Sequence, residues 1–230
     1  MRYTITNVDF PHPVTEGWIL TKQHLLGSYD VPVREVSNKL QRLQRAYSEM
    51  CCIYDIWKHI KSEPWVQVCQ YRRVMDVPSD ATCLPEPIMR NMHQQFARCH
   101  NLSDLLECED IIRQKYPRYA YDFAAINKIY PCNMFVLCRA DFEAYCSFVF
   151  GVLQEFAKRH NLKTDDDVLA YVTANKDKYA DDRWYSASYQ ARLLGYLAER
   201  LGTIFFIKYF EGRQFNTAPI KVLGERLWKI

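Results

Sequence analysis

Two short apolar runs, 65–71 and 134–138, alternate like buried strands, and long stretches with helical spacing separate them. Nothing in between reads as a hairpin turn. Strands fed by helices must share a sheet whose faces those helices cover, so the pattern predicts an α/β layer architecture with a mixed central sheet flanked by helices. In the first run Val66 and Val68 point to one face, and Trp65, Cys69 and Tyr71 to the other.

The clearest helical stripe is Leu40, Leu43, Tyr47, Met50, Tyr54 and Trp57, at alternating three- and four-residue steps. It predicts one helix over 37–60, with Ser37 as N-cap. Shorter helices are predicted over 88–99 and 103–115. A long one follows to about residue 160, capped by Asp141. Thr164 with Asp165, Asp166 and Asp167 opens another, where the acids suit the positive helix end. A further helix over 186–201 stops at Gly202, and the apolar run 203–209 reads as a last strand. The first 35 residues, punctuated by Pro11, Pro13 and Pro32, read as irregular.

At 230 residues, 49% hydrophobic and 25% charged, the chain suits one globular domain. Aromatics reach 14%, which suits stacking platforms for sugars and ordinary cores alike. A net charge of +3 gives no argument for nucleic acid. The nine cysteines are odd in number, scattered and free of CxxC spacing. That pattern fits reduced thiols in a cytoplasmic protein. There is no apolar run long enough to span a membrane and no signal pattern at the N-terminus.

Seven glycines leave no GxGxxG and no P-loop, and neither GxSxG nor HExxH occurs. Weaker constellations carry what remains. Gln70-Tyr71-Arg72-Arg73 leaves the end of a buried strand, where open α/β sheets bind ligands. Its guanidiniums suit a diphosphate, or a salt bridge at a strand end. Glu199-Arg200 suits a general base beside an anion clamp, or a helix-anchoring ion pair. Asp165–Asp167 and Asp181-Asp182 have the spacing of divalent-metal ligands, but they read as a helix cap and a solvated loop, so no metal site is predicted. His100 suits a structural place as well as a ligand contact.

Several of these segments together resemble the bacterial capsular and exopolysaccharide glycosyltransferase-like family long catalogued as a domain of unknown function. The resembling residues are Ser48-Glu49-Met50 leading to Tyr54-Asp55-Ile56-Trp57-Lys58; Tyr71-Arg72-Arg73; His100 with Asp104-Leu105; Tyr116-Pro117; Asn133-Met134-Phe135 with Tyr145-Cys146; and Arg192 with Gly195-Tyr196-Leu197-Ala198-Glu199-Arg200-Leu201. The chain departs from the family in two places. Gln70 stands where the family has His, and the opening strand, with its His-Lys pair, is not visible in residues 2–10.

The resemblance implies a single GT-A-like domain over 1–230, with 1–35 divergent. It also implies transfer of a hexose, galactose or galactofuranose among the candidates, from a nucleotide sugar, UDP-linked by preference, to a lipid-linked oligosaccharide at the inner membrane. On that reading Arg72, Arg73 and Arg200, with Tyr71, hold the diphosphate electrostatically, and Glu199 is the base with Asp76 in reserve. Asn133, Trp57 and His100 contact sugar. One base and no nucleophile suit an inverting displacement. Lys221, Arg226, Trp228 and Lys229 are the expected membrane contacts. The competing expectation is a non-catalytic carbohydrate- or partner-binding module on the same fold.

Overall fold

The computed structural model describes residues 2–6, 18–22, 33–35, 39–70, 73–78, 80–179 and 186–222. Nine described strands form one mixed sheet, and helices cover its larger apolar face. The strands β1 (Arg2–Thr6), β2 (Trp18–Lys22) and β3 (Val33–Glu35) come first. The helices α1 (Gln44–Tyr47) and α2 (Met50–His59) then lead into β4 (Trp65–Gln70), β5 (Arg73–Val74) and β6 (Cys83–Pro85). Next come α3 (Met92–Cys99), α4 (Leu102–Lys115), β7 (Phe135–Cys138), α5 (Arg139–Arg159), α6 (Asp165–Ala174) and α7 (Ala187–Gln190). The last elements are α8 (Leu193–Tyr209), β8 (Asn216–Ala218) and β9 (Lys221–Val222).

The sheet order is β3-β2-β1-β4-β7-β6-β8, with β5 and β9 extending from β4. β3, β2, β1 and β4 run parallel, whereas β7 is antiparallel to β4, with Val68 opposite Phe135. Strands are added in one direction from β1 to β3, and β4 then returns to the free side of β1. Between β1 and β4 the order therefore reverses, and Ile5 lies opposite Gln70 near the carboxyl ends of both. Open α/β sheets bind ligands outside such ends.

The alternation in β4 sorts the faces as its sequence predicts. Val66 and Val68 join Tyr3, Ile5, Phe135 and Leu137 in the main core under α2, α5 and α8. Cys69 and Val136 face a smaller cluster with Met75 and Met134.

Four expectations are corrected. The segment read as irregular contains β1 at the heart of the sheet: Tyr3 and Ile5 are buried, but two apolar residues in a five-residue strand give little signal. The helix expected over 37–60 is broken at Ser48, whose φ of 51° is left-handed, although its stripe from Leu40 to Tyr54 is buried as expected. Ser37 lies outside the described residues. Residues 203–209 are not a strand but the second half of α8, which passes through Gly202 without stopping. Ile204, Phe205 and Phe206 are buried on several sides of that helix, so the 3.6-residue period is hidden. Asp141 sits in the first turn of α5 rather than at its N-cap, Cys138, and its carboxylate accepts from Tyr209 Oη at 3.0 Å. The Thr164 capping box forms as expected.

Candidate active site

The break at Ser48 positions the site. It ends α1 and starts α2 with Glu49 as N-cap, at the same end of the sheet as the carboxyl end of β4. The break is held against α8 because residue 195 is glycine: a Cβ there would lie 3.1 Å from Ser48 Cβ and 3.4 Å from the Tyr47 carbonyl oxygen. Arg192, three residues earlier, donates from Nε to Ser48 Oγ at 2.7 Å and places Nη2 3.7 Å from Glu49 Oε2.

From the sheet side, β5 folds back on β4 with Gln70 opposite Arg73, and β9 pairs with β5. Gln70 Oε1 accepts from Arg73 Nη1 at 3.1 Å, while Gln70 Nε2 donates to Glu49 Oε1 at 3.3 Å and to the Cys132 carbonyl at 3.1 Å. Cys132 and Asn133, with φ of 72° and 49°, form the turn that enters β7. Asn133 Nδ2 donates to Glu49 Oε1 at 3.0 Å. Thr203 Oγ1 accepts from the Tyr130 amide at 3.0 Å and donates to the Glu199 carbonyl at 3.2 Å, which seats this turn beside α8.

On α8, Arg200 Nη1 donates to Glu199 Oε1 at 2.8 Å, and Nη2 donates to Gln95 Oε1. Arg200 is 4% exposed and Glu199 24%. Burial pushes the pKa of the Cys132 thiol up to about 12, Glu199 and Glu49 add to the rise, and Arg73 and Arg200 oppose it. Burial likewise lifts the Glu49 carboxyl above the ordinary range, against the pull of the Asn133 amide and Arg192 and with a small addition from Glu199.

The sequence-predicted residues fall into three groups. Arg73 and Asn133 come together through Gln70 and Glu49, and Glu199 pairs with Arg200, which is buried behind it as its anchor rather than open to a ligand. Asp76 is exposed just beyond β5. Tyr71, Arg72 and the pair Asp181-Asp182 lie outside the described residues, as do Arg226, Trp228 and Lys229; Lys221 is exposed in β9.

Trp57 and His100 do not join the cluster. Eight residues at 1.5 Å each put Trp57 about 12 Å along α2 from Glu49. Phe150 stacks on its ring at 5.6 Å and 5°, and Lys58 Nζ lies 3.2 Å from the ring centroid, so its faces are taken. His100 is 3% exposed under Tyr196, at a centroid distance of 4.2 Å. Its Nδ1 is 2.9 Å from Gln190 Oε1, and Gln190 spends its amide nitrogen on the Cys99 carbonyl, so the imidazole proton sits on Nδ1. Burial pulls its pKa down to about 4, with Arg200 adding and the Gln190 bond opposing.

Sequence reasoning gave no role to Glu49, Arg192 or Gln95. Arg192 was visible three residues before Gly195, but only the fold shows that its guanidinium, on a side chain 43% exposed, reaches Glu49.

Among the described residues no group of three or more His, Cys, Asp or Glu side chains forms a metal-binding cluster. Asp165 instead accepts from the Arg45 and Ala46 amides, each at 3.0 Å, and Asp167 closes the capping box of α6. None of the nine cysteines is in a disulfide. No described helix is long and apolar enough to cross a membrane.

The sheet order, with a polar cluster at its switch point, defines an α/β protein, and comparison with known proteins places that fold. A family profile described as Domain of unknown function (DUF4422) matches residues 77–174. No curated protein sequence matches significantly. Among solved structures, the chain is similar to the apo structure of the WbbM bifunctional glycosyltransferase, with a TM-score of 0.71 and 15% identity. The match covers 99% of this chain and 47% of that one. The chain thus has a glycosyltransferase-like α/β fold and spans about half the length of the protein it resembles.

Proposed function

We propose that this chain binds a nucleotide sugar, UDP-linked by preference, and transfers its hexose to a glycan hydroxyl, the acceptor being a lipid-linked oligosaccharide of bacterial surface-polysaccharide synthesis. The observation that carries this reading is the meeting of Glu49, Arg73 and Asn133 through Gln70 at the carboxyl end of β4, beside β1, with the Glu199 backbone tied through Thr203 to the segment that enters β7, in a sheet whose fold resembles a glycosyltransferase. Transfer has to neutralise a departing nucleoside diphosphate and remove a proton from the acceptor. Arg73 and Arg192 supply the first. Glu199 supplies the second. Arg200 and Gln95 fix one carboxylate oxygen through a buried guanidinium, and Oε2, without a partner among the described residues, takes the proton. The acceptor oxygen bonds to the anomeric carbon as the bond to the diphosphate oxygen breaks. With one base and a single displacement, the configuration inverts.

Glu199→Gln keeps the shape and the contact to Arg200 but cannot accept a proton. Donor binding should stay within about twofold, while turnover falls roughly 100-fold or more. Turnover and melting temperature are measured on the same samples with a panel of UDP-sugars. A variant that is less stable yet fully active would make Glu199 a helix anchor. Wild-type protein that binds sugar without ever releasing nucleotide would make the chain a binding module.

A further inference from the structure

We propose that Glu49 is the positioning residue of the donor cleft: its one carboxylate turns the amides of Gln70 and Asn133 so that the first holds Arg73 and the second offers its carbonyl oxygen to a sugar hydroxyl. This rests on the donor-binding reading above and names the residue that organises it.

Hydrogen-bond polarity fixes how the two amides are turned. A carboxylate accepts and does not donate, so an amide that touches it must present nitrogen. Glu49 Oε1 receives Asn133 Nδ2 at 3.0 Å and Gln70 Nε2 at 3.3 Å. The Cys132 carbonyl takes the second Gln70 hydrogen at 3.1 Å, which fixes Gln70 Oε1 on the opposite side, where Arg73 Nη1 meets it. Asn133 is held in the same sense, and its Oδ1 is buried without a hydrogen-bond partner among the described residues. Asn133 is only 4% exposed. A buried acceptor without a donor is costly and uncommon, and on the donor-binding reading it is a place for a ligand hydroxyl. Cys132 and Asn133 both have left-handed φ, a strained conformation of the kind that gathers at ligand sites.

Glu49 itself is held from α8. Arg192 faces its second oxygen at 3.7 Å, and the same guanidinium is tied to Ser48 at the helix break. The polarity of the whole chain, from Arg192 through Glu49 to both amides and on to Arg73, is therefore set at Glu49 Oε1, which accepts from both amides while Arg192 faces Oε2. A glutamine there could donate, and both amides would be free to turn.

The test has two arms on the full chain. Without ligand, the side-chain amide signals of Gln70 and Asn133 are recorded by nitrogen-15 NMR. Glu49→Gln should move both pairs, and unmoved signals would overturn the proposal. With UDP-sugars as probes, Glu49→Gln should weaken binding by about tenfold or more while the melting temperature changes little. In the pair Glu49→Gln/Asn133→Asp the glutamine can donate to one aspartate oxygen and leave the other to the cleft, but Gln70, which donates to the same position of residue 49, stays turned from Arg73, so the pair should recover only the Asn133 share of that loss. A destabilised double variant that binds no better than the single one would reduce Glu49 to a structural residue. If the amide signals move but wild-type protein binds no nucleotide sugar, the donor assignment fails while the orienting role of Glu49 stands.

Discussion

His100 gives a prediction whose size follows from the structure. The ring is buried beneath Tyr196, its Nδ1–H is committed to Gln190, and Arg200 lies near enough to oppose a second positive charge. Its pKa falls from 6.5 to about 4 on folding. A histidine depressed in the folded state contributes stability that is present above its unfolded pKa and lost as pH falls toward the folded one. Each unit is worth about 1.4 kcal/mol, so the loss should reach about 2 kcal/mol by pH 5 and about 3 kcal/mol below pH 4. Asp104 works in the opposite sense. Burial raises its pKa to about 6, with the Tyr171 bond opposing, so its contribution grows as pH falls from 6 toward 3.8. The two are separated by comparing wild type with His100→Asn in urea unfolding at pH 7, 6 and 5. The variant is expected to be less stable at pH 7 because it leaves space under Tyr196. Its further loss between pH 7 and pH 5 should be smaller than that of wild type by about 2 kcal/mol. Equal losses in both proteins would show that burial of this imidazole does not govern the acid response.

Three further outcomes are expected. Gly195→Ala should push α8 away from the Ser48 break, since the new Cβ meets Ser48 Cβ at 3.1 Å; calorimetry should show a loss of about 1–3 kcal/mol, together with weaker donor binding. Asp165→Ala removes the acceptor for two α1 amides and should cost about 1–2 kcal/mol in denaturant melts without altering donor affinity, which sets its carboxylate apart from a metal ligand. If arginines carry the diphosphate charge, Arg73→Ala should lower turnover by about 100- to 1000-fold and EDTA should leave turnover nearly unchanged; abolition by EDTA with rescue by Mn²⁺ would return attention to Asp181-Asp182.

Much of the chain was legible because local periodicity and burial agree. The strand read from Val66 and Val68, its partner ending at Cys138, the Leu40-to-Tyr54 stripe and the Thr164 cap are all properties of short stretches, written in side-chain alternation and capping chemistry. Where burial is complete the period vanishes, and so residues 203–209 read as a strand although they continue α8. β1 escaped for the opposite reason: five residues with two buried side chains become the centre of a sheet only when β2 and β4 flank them.

The site divides in the same way. Arg73, Glu199 and Asn133 could be picked out because their residue types suit phosphate, proton and hydroxyl, and because their neighbours resemble a known family. That choice could not tell a partner from a bystander. Trp57 and His100 carry suitable rings, yet packing against Phe150 and Tyr196 takes them out of reach. Glu49 and Arg192 stand 143 positions apart, and one left-handed residue at Ser48 with a missing Cβ at Gly195 brings them face to face. Sequence determined which chemistry was present. Which groups meet depended on three-dimensional closure, because a charge acts through distance and solvent exposure, and neither exists until the helices are docked on the sheet.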